Sequence, residues 1–253
     1  MPSTFKKVET VKIVLFFLQK KYYILMLTSS YFFMNTLKIN NPDKINKNII
    51  KKIAELISEG KTVILPTSTI YGLSCKYNDR NTIEKIYNIK KRNKNLPFII
   101  LISSYDDLKS LVSDINPVAK KIIKNFWDTE NPEPLTLIFN KKSSLENFIT
   151  SGSSTIAVRL ADSGFLRNII NICGPIVSTS ATVSGTKSYP KKIEDIPFTI
   201  RKQADLVVGY PSSLTGVEST IVDVTDQTPV LVREGKVKFR DVLKFKDIKK
   251  NLI

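Results

Sequence analysis

Short apolar segments that end in hydroxyl groups, or that enclose an arginine, recur along this chain and limit the folds it can adopt. The segment Val63–Leu65 runs directly into Pro66, three hydroxyl residues and then Tyr71-Gly72. A buried strand that only had to turn would more often do so with Gly, Asn or Asp. Several of these segments are apolar throughout, which is typical of a sheet covered on both faces. We therefore predict one mixed α/β domain.

Hydrophobic periodicity places the secondary structure between about residues 41 and 240. The first helix is predicted to start at Asn41-Pro42, to keep its apolar face through Ile57 and to end before Gly60. Further helices are predicted at residues 82–91, 106–112, 118–127, 165–172 and 191–203. Seven or eight strands are predicted among residues 61–65, 96–102, 135–139, 155–160, 175–180, 204–209, 219–224 and 229–235.

The first 40 residues differ from the rest of the chain. They contain two short apolar runs, separated by Gln19-Lys20-Lys21, and neither run approaches the ~20 apolar residues that span a bilayer. Three alternatives stand: a targeting segment, a disordered tail, or a translated upstream region before a start at Met34; we favour the last two. The predicted organisation is an N-terminal extension (1–40), one α/β domain (41–240) and a C-terminal tail (241–253), without stable membrane insertion.

Composition excludes several kinds of chemistry. The chain has no histidine, so a Ser-His-Asp triad, a Cys-His pair, a histidine metal ligand and a histidine general base are all impossible. Cys75 and Cys173 form no CxxC or zinc pattern and are expected to be buried reduced thiols in a cytoplasmic protein. The formal charge of +16 favours polyanionic partners such as RNA or phosphate-bearing ligands, or reflects only a lysine-rich composition.

Hydroxyl groups and arginines recur at five strand ends. Arg159 lies inside the apolar segment TIAVRL, and the segment VLVREG is expected to bury Arg233 against a strand end. Hydroxyl clusters surround three other strand ends. Each has an ordinary structural alternative, since hydroxyls form turns and caps, and a strand arginine is usually paired with a core carboxylate. Together, converging hydroxyls and guanidinium groups can hold a ligand that carries carboxylate and phosphate groups. We expect them to line a ligand cleft at the strand ends.

A further cationic element, IKKRNKNLP, ends the second predicted helix and contains Lys90, Lys91, Arg92 and Lys94. These cations could form a solvated last turn that offsets the helix dipole. Because the next segment returns at once to a buried strand, we expect the loop to be pinned near the sheet instead. Neither GxxxxGK[ST] nor GxGxxG occurs, so a bound nucleotide would be held without the two commonest phosphate cradles.

Seven motifs occur in order over residues 40–240: PTSTIYGL, KKR, PLTLIF, STIAVRL, STSATVSG, GVESTIVDV and LVREG. Together they resemble the YrdC-like family of threonylcarbamoyl-AMP synthases. The resemblance implies a single YrdC-like α/β domain with a twisted sheet of parallel and antiparallel strands, helices packed on it and a ligand cleft. It also implies synthesis of threonylcarbamoyl-AMP and pyrophosphate from L-threonine, bicarbonate or CO2 and ATP. That product would feed formation of N6-threonylcarbamoyladenosine at position 37 of tRNAs that read ANN codons.

The resemblance further implies roles for individual residues. The residues that match threonine-site positions of the family are Thr69, Arg159, Ser178 and Ser219. The residues that match ATP-site positions are Arg92, Thr155, Ser180, Ser188 and Arg233. Lys90 matches the lysine of the family's Lys-x-Arg pair, so Lys90 and Arg92 would be catalytic through their charge. No protein metal ligand is implied, since Mg²⁺ would be carried by ATP.

The chain departs from the family pattern at a few positions. Four extra residues follow Trp127, after which Glu133 replaces a glycine, and a glycine held at positive φ would not accept Glu without strain. Thr182 replaces an asparagine, Ala161 a proline and Leu96 a polar residue. These changes leave the threonine-site residues in place and bear on the geometry of the ATP site.

Two other functions are compatible with part of the pattern. A non-catalytic paralogue would bind double-stranded RNA or tRNA, but it would carry its arginines outward among aromatic stacking platforms, whereas Arg159 and Arg233 lie within apolar strands. Carbamoyl-adenylate chemistry on another acceptor, as in hydrogenase-maturation carbamoyltransferases, would require additional domains. The synthase is therefore the favoured hypothesis, with downstream threonylcarbamoyl-transfer proteins as its expected partners.

Overall fold

A ten-stranded sheet organises the part of the chain that the computed structural model describes, residues 36–40, 44–186, 188–210 and 212–245. The strands are β1 (Thr36–Lys38), β2 (Val63–Pro66), β3 (Tyr71–Lys76), β4 (Ile99–Ile102), β5 (Leu135–Asn140), β6 (Thr155–Leu160), β7 (Ile176–Ser180), β8 (Leu206–Gly209), β9 (Thr220–Asp223) and β10 (Val230–Arg233). Their order is β1-β8-β2-β3-β7-β4-β6-β5-β9-β10. Four strand pairs are parallel and five are antiparallel, which confirms the predicted mixed sheet.

Helices connect many of the strands, and the longer ones begin behind a capping side chain. The described α-helices are α1 (Lys47–Ser58), α2 (Arg80–Lys90), α3 (Tyr105–Leu111), α4 (Pro117–Phe126), α5 (Gly164–Cys173), α6 (Phe198–Arg201) and α7 (Phe239–Val242). The side chains that accept a hydrogen bond from a first-turn backbone N–H are Asn46, Asp79, Ser104, Asn116 and Ser163. Short polar residues at these positions satisfy backbone donors that the helix itself leaves unpaired.

Helices cover both faces of the sheet, as the apolar strands predict. Residues of α1 and α5 pack in one buried cluster with Val63 and Leu65 of β2. Residues of α2, α3 and α4 pack in a second cluster that contains Ile64. Successive residues of a strand point to opposite faces, so β2 contributes to both cores.

The face that carries α1 and α5 is only partly covered. On that face Ala157 of β6 lies opposite Ile99 of β4 and Ile138 of β5. These three side chains are only half-buried, and Val232 of β10 is exposed. The described helices therefore leave the part of the face over β4, β6, β5, β9 and β10 open, and this opening becomes the cleft described below.

Several elements differ from the sequence prediction. Strands β1 and β3 are not predicted, because β1 is very short and β3 contains Gly72 and Ser74, which are typical of loops. The single helix predicted at 191–203 is wrong: Pro197 separates a 3-10 turn from the short helix α6. The predicted burial of Arg233 is also wrong, since its side chain is 34% exposed.

The ends of the domain also extend beyond the predicted boundaries. The predicted helix start at Asn41-Pro42 lies outside the described residues, and α1 begins at Lys47, while Gly60 has the positive φ of 76° expected after a helix. Strand β1 belongs to the sheet, and Val242 of α7 is fully buried. The apolar runs before residue 36, Met34 and residues 246–253 lie outside the described part. Within that part, no helix is both long and apolar enough to cross a membrane.

Both cysteines are free and buried, as the sequence predicts. Burial raises the pKa of the Cys75 thiol, and it raises the pKa of Cys173 to about 11. Both therefore carry a proton at neutral pH and act as small apolar side chains.

Gly235 is a position at which β9 and the chain after β10 approach each other too closely for a side chain. A Cβ there would lie 2.3 Å from the Glu218 carbonyl oxygen and 2.7 Å from the Thr220 nitrogen. We expect Gly235→Ala to lower the free energy of unfolding by about 1–3 kcal/mol, because backbone has to move. Gly164→Ala is the control, since a Cβ on Gly164 meets nothing within 4 Å. Equal melting temperatures for both variants would contradict this packing.

Candidate active site

The open part of the sheet face forms a cleft of about 470 Å³, a volume within the range of small-molecule sites. Segments that leave the strand ends bound it on both sides. Eight of the ten site residues predicted from the sequence line it: Thr69, Lys90, Arg92, Arg159, Ser178, Ser180, Ser219 and Arg233. Residues that are as far apart in sequence as Thr69 and Arg233 therefore meet around one space.

The hydroxyl cluster after β2 forms the turn into β3. The Thr67 Oγ1 atom accepts hydrogen bonds from the backbone N–H groups of Thr69 (3.2 Å) and Ile70 (3.1 Å). It also shares a hydrogen bond of 2.9 Å with the Thr69 hydroxyl. Thr69 is 1% exposed, yet it lines the cleft. The hydroxyls thus replace the Gly, Asn or Asp of an ordinary turn and fix the Thr69 side chain toward the cleft.

Arg159 on β6 joins this turn to a buried carboxylate. Its Nη1 atom donates to Thr69 Oγ1 at 3.3 Å, and its Nη2 atom donates to Ser68 Oγ at 3.1 Å. The Nη2 atom also lies 2.6 Å from Asp162 Oδ2, and the Ser68 hydroxyl donates to the same oxygen. The expected pairing of a strand arginine with a core carboxylate is therefore correct, although Arg159 faces the cleft as well.

Asp162 is a site residue that sequence reasoning missed. Its side chain is 2% exposed and fixes Arg159 through the ion pair, but it does not itself line the cleft. The signal available in the sequence was its spacing of three residues after an arginine inside an apolar strand. Arg159 Nε and Asp162 Oδ1 are buried and have no hydrogen-bond partner within the described residues.

Gly72 and two short side chains, Ser178 and Ser219, line the middle of the sheet face in the cleft. The Ser178 hydroxyl lies 3.2 Å from that of Ser74, and a Cβ on Gly72 would lie 2.5 Å from Ser178 Oγ. The Ser219 hydroxyl shares a hydrogen bond of 2.9 Å with Thr136 Oγ1. Gly72 thus leaves the room that Ser178 occupies, and both predicted serines are held in defined positions.

Lys90, the last residue of α2, is almost completely buried, with 1% exposure. Its Nζ atom donates to the Thr182 carbonyl oxygen at 2.7 Å, to the Ser180 carbonyl oxygen and to Ser180 Oγ at 3.3 Å. Three acceptors use all three N–H groups of an ammonium ion. Burial, followed by the nearby charge of Arg92, lowers the pKa of Lys90 to about 7, and Glu218 partly offsets this.

Arg92 follows a residue in the left-handed conformation, Lys91, whose φ is 50°. The Arg92 guanidinium donates to the carbonyl oxygens of Leu96 (3.2 Å) and Pro97 (3.1 Å) and lies over the Phe98 ring at 5.2 Å. Burial lowers the pKa of Arg92. The cationic loop is therefore held against the sheet, as the sequence predicts, and it is not a freely solvated helix end.

Arg233 enters the cleft from the β10 edge, beside a bulge. Leu231 pairs with Val222 and Arg233 pairs with Ile221, so Val232 is an extra residue. The Arg233 Nη1 atom lies 2.7 Å from Glu218 Oε1. The Tyr189 phenol donates to the same carboxylate; burial, followed by that carboxylate, raises the pKa of Tyr189 to about 12.

Two predicted ATP-site residues, Thr155 and Ser188, do not line the cleft. Thr155 lies on the same face of β6 as Ala157 and Arg159, but beyond the end of the cleft, and shares a hydrogen bond of 3.0 Å with Ser153. Ser188 is exposed next to Tyr189, which does line the cleft. Their proposed contacts with ATP stay predictions.

The departures from the family pattern are accommodated without visible strain. Glu133 is exposed, does not have a positive φ, and its N–H donates to the Phe126 carbonyl oxygen at 2.7 Å. Thr182 is buried and shares a hydrogen bond of 2.9 Å with Ser180 Oγ. Leu96 is 48% exposed and contributes its backbone carbonyl to Arg92 and to Tyr87.

Among the described residues, those that line the cleft and carry charge are four cations and one carboxylate: Lys90, Arg92, Arg159, Arg233 and Glu218. Such a cleft attracts anions. Within the described residues, no group of three or more Cys, Asp or Glu side chains could hold a metal ion on its own. The cleft of this mixed α/β domain is therefore suited to an anionic small molecule whose polar groups bind the hydroxyls and whose negative charges bind the cations.

Comparison with known proteins places this domain in one family. The sequence model of the Sua5/YciO/YrdC family, described as Telomere recombination, matches residues 55–235. A Pyrococcus abyssi protein named threonylcarbamoyl-AMP synthase is 33% identical over 210 residues, which cover 83% of this chain and 60% of that protein. The chain belongs to the Sua5/YciO/YrdC family, and the resemblance to the YrdC-like family is confirmed.

Solved structures support the same conclusion. Pyrococcus abyssi Sua5 complexed with L-threonine aligns with a TM-score of 0.76 at 31% identity, over 83% of this chain and 60% of that one. Escherichia coli YciO aligns with a TM-score of 0.71 at 25% identity, over 83% of this chain and 98% of that one. The chain thus spans about 60% of the length of the Pyrococcus protein and nearly the whole length of YciO.

The low pKa of Lys90 is open to direct measurement. With lysine labelled with ¹³C at Cε, we expect the Lys90 signal, assigned by its loss in Lys90→Arg, to titrate near pH 7. Arg92→Ala should raise this pKa because it removes a nearby positive charge, and Glu218→Gln should lower it because it removes a negative one. Since the unfolded chain keeps this lysine protonated to about pH 10, stability should rise with pH between 7 and 10 through this group. A Lys90 pKa near 10 would contradict the described burial.

Proposed function

We propose that this chain is an L-threonylcarbamoyladenylate synthase, a nucleotidyltransferase. It makes threonylcarbamoyl-AMP and pyrophosphate from L-threonine, bicarbonate or CO2 and ATP, for the N6-threonylcarbamoyladenosine modification of tRNA. The observation that carries this proposal is one cleft in which Arg159 contacts the Thr69 hydroxyl and in which three further cations, Lys90, Arg92 and Arg233, lie near one another. The family relatives named for this activity support it.

The end of the cleft formed by Thr69 and Arg159 suits the amino acid. The Arg159 guanidinium, fixed by Asp162, matches the carboxylate of threonine. Hydroxyls of Thr69, Ser178 and Ser219 would accept or donate hydrogen bonds to its amine and hydroxyl groups. The solved complex of Pyrococcus abyssi Sua5 with L-threonine is consistent with this assignment.

The other end suits a triphosphate. The threonine amine attacks CO2 and loses a proton to water, which gives a carbamate. A carbamate oxygen then attacks the α-phosphorus, and the bond from the α-phosphorus to pyrophosphate breaks. Negative charge grows on the phosphate oxygens, so Arg92 and Arg233 stabilise it electrostatically. Lys90 adds charge below its pKa of about 7 and fixes Ser180 and Thr182 through their carbonyl oxygens.

No histidine is required for this reaction. A neutral threonine amine needs no strong general base, and a minor fraction of it is present near neutral pH. Mg²⁺ arriving with ATP would supply further positive charge at the phosphates. The donor set fits such an ion, because the cleft offers the carboxylate oxygen of Glu218 and the hydroxyl of Ser180 beside the cations.

The further partners are part of the proposal. Threonylcarbamoyl-AMP would pass to proteins that transfer its threonylcarbamoyl group, in the cytoplasm. The formal charge of +16 would suit contact with tRNA or another double-stranded RNA. A non-catalytic paralogue that only binds such RNA is the second candidate, and the same charge favours it.

Pyrophosphate release tests the synthase. The full chain with ATP, Mg²⁺ and bicarbonate should release pyrophosphate only when L-threonine is present. Arg92→Ala should lower the rate by about 10²-fold or more, as for the loss of one transition-state donor. Lys94→Ala is the control, because Lys94 is exposed and does not line the cleft. Absence of release, with tight binding to structured RNA retained, would leave the RNA-binding paralogue.

The amino-acid end can be tested by binding alone. Thr69→Val keeps the approximate shape of the side chain and removes the hydroxyl that accepts a hydrogen bond from Arg159 Nη1. We expect the dissociation constant for L-threonine to rise by up to about tenfold, the value of one hydrogen bond. Thr155→Val, a hydroxyl deletion outside the cleft, should leave it unchanged. Calorimetric titration measures both; equal effects would contradict the assignment of this end to threonine.

A further inference from the structure

Glu218 is the one carboxylate among the described residues that line the cleft. It lies beside the cations assigned to the triphosphate, and its charge bears on Lys90 and Arg92 as well as on Arg233. Bound phosphates would be repelled by this carboxylate at close range. A carboxylate in a phosphate cleft therefore lowers affinity unless a positive charge comes to lie between the two.

The ion pair between Glu218 and Arg233 could be replaced by contacts with a ligand without releasing Arg233. Arg233 is also held from the other side, because its Nη2 and Nε atoms donate to the Ser219 carbonyl oxygen at 2.9 and 3.3 Å. Loss of the 2.7 Å contact with Glu218 would therefore leave Arg233 anchored and free its Nη1 atom for phosphate. The Glu218 side chain is 19% exposed, so it is accessible from the cleft.

The chemistry of Glu218 matches that of a magnesium ligand. Mg²⁺ prefers hard oxygen donors and is commonly bound by one or two carboxylates together with substrate phosphates. The described residues contain no acidic cluster that could hold a metal ion without substrate, so a site here would be completed by the nucleotide. Tyr189 donates to the same carboxylate and would orient it.

We infer that Glu218 is the protein ligand of the Mg²⁺ that accompanies ATP, and that nucleotide binding exchanges the Arg233–Glu218 pair for Arg233–phosphate and Glu218–magnesium contacts. This inference rests on the proposed function, since it requires ATP in the cleft. Two other roles of Glu218 give different outcomes. It could act only as the counter-ion of Arg233, or it could accept a hydrogen bond from a ribose hydroxyl.

Equilibrium binding of ATP, measured by calorimetry with and without Mg²⁺, separates these roles. Wild type should bind ATP more tightly with Mg²⁺ than without it. In Glu218→Gln this preference should shrink by about tenfold or more, through weaker binding of Mg²⁺–ATP and equal or tighter binding of metal-free ATP. Glu234→Gln is the control, because Glu234 is exposed, next to Arg233, and does not line the cleft.

Each outcome decides the matter. Retention of the wild-type preference for Mg²⁺–ATP in Glu218→Gln overturns the inference. If Glu218→Gln binds ATP and Mg²⁺–ATP more tightly by the same factor, Glu218 is only the counter-ion of Arg233. If Glu218→Gln binds ATP more weakly than wild type does, and this difference disappears with 2′-deoxy-ATP, Glu218 contacts the ribose. Both results also overturn the inference. Failure of wild type to bind ATP under either condition overturns the proposed function itself.

A second measurement needs no variant. Fe²⁺ in place of Mg²⁺, with ascorbate and hydrogen peroxide, cuts a protein backbone close to the bound metal ion. We expect ATP-dependent cleavage beside Glu218, located by mass spectrometry of the fragments. ATP-dependent cleavage elsewhere in the cleft, without cuts at Glu218, would overturn the assignment.

Discussion

The shape of the cleft depends on the hydrogen bonds that the buried ammonium group of Lys90 makes with the chain after β7. An ion removed from water needs hydrogen-bond partners, and here the backbone carbonyls of Ser180 and Thr182 supply them. The end of α2 is thereby tied to the end of β7, and the Ser184 N–H adds a bond to the Lys90 carbonyl oxygen at 3.0 Å. Arg92 comes two residues after Lys90 in the chain, so its position in the cleft depends on the contact between the end of α2 and the end of β7.

Much of the fold can be read from the sequence because the strands carry strong local signals. The β6 bounds, Thr155–Leu160, agree with the prediction, since an apolar, β-branched run leaves little ambiguity. β3 is different: its Gly72 and Ser74 are poor strand formers, and the strand forms through pairing with β2 and β7, where Gly72 leaves room for Ser178. Such a tertiary requirement leaves no trace in local periodicity.

In the site, too, some features can be predicted from local sequence signals and others depend on tertiary contacts. Motif order predicts eight residues that line the cleft, because most motifs sit at strand ends, KKR sits at the end of α2, and the fold brings these ends together. Thr155 lies on the same face of β6 as Arg159 but is not among the residues that line the cleft, and no local pattern reports this position. The contact between Glu218 and Arg233 depends on the β10 bulge, and therefore on how two strands pair. Asp162 could be predicted only by combining its spacing of three residues after Arg159 with the general expectation that a buried arginine pairs with a carboxylate.

The bulge in β10 has a second effect, on association between copies of the chain. β10 ends the strand order of the described sheet, and Val230 and Val232 expose 58% and 55% of their surface. A regular apolar strand in this position would invite another chain to add its own strand and extend the sheet. The extra residue at Val232 interrupts the even spacing of N–H and C=O groups along the outer edge, so added strands cannot continue in register. The irregularity beside Arg233 thus also makes this edge of the described sheet a poor template for an added strand.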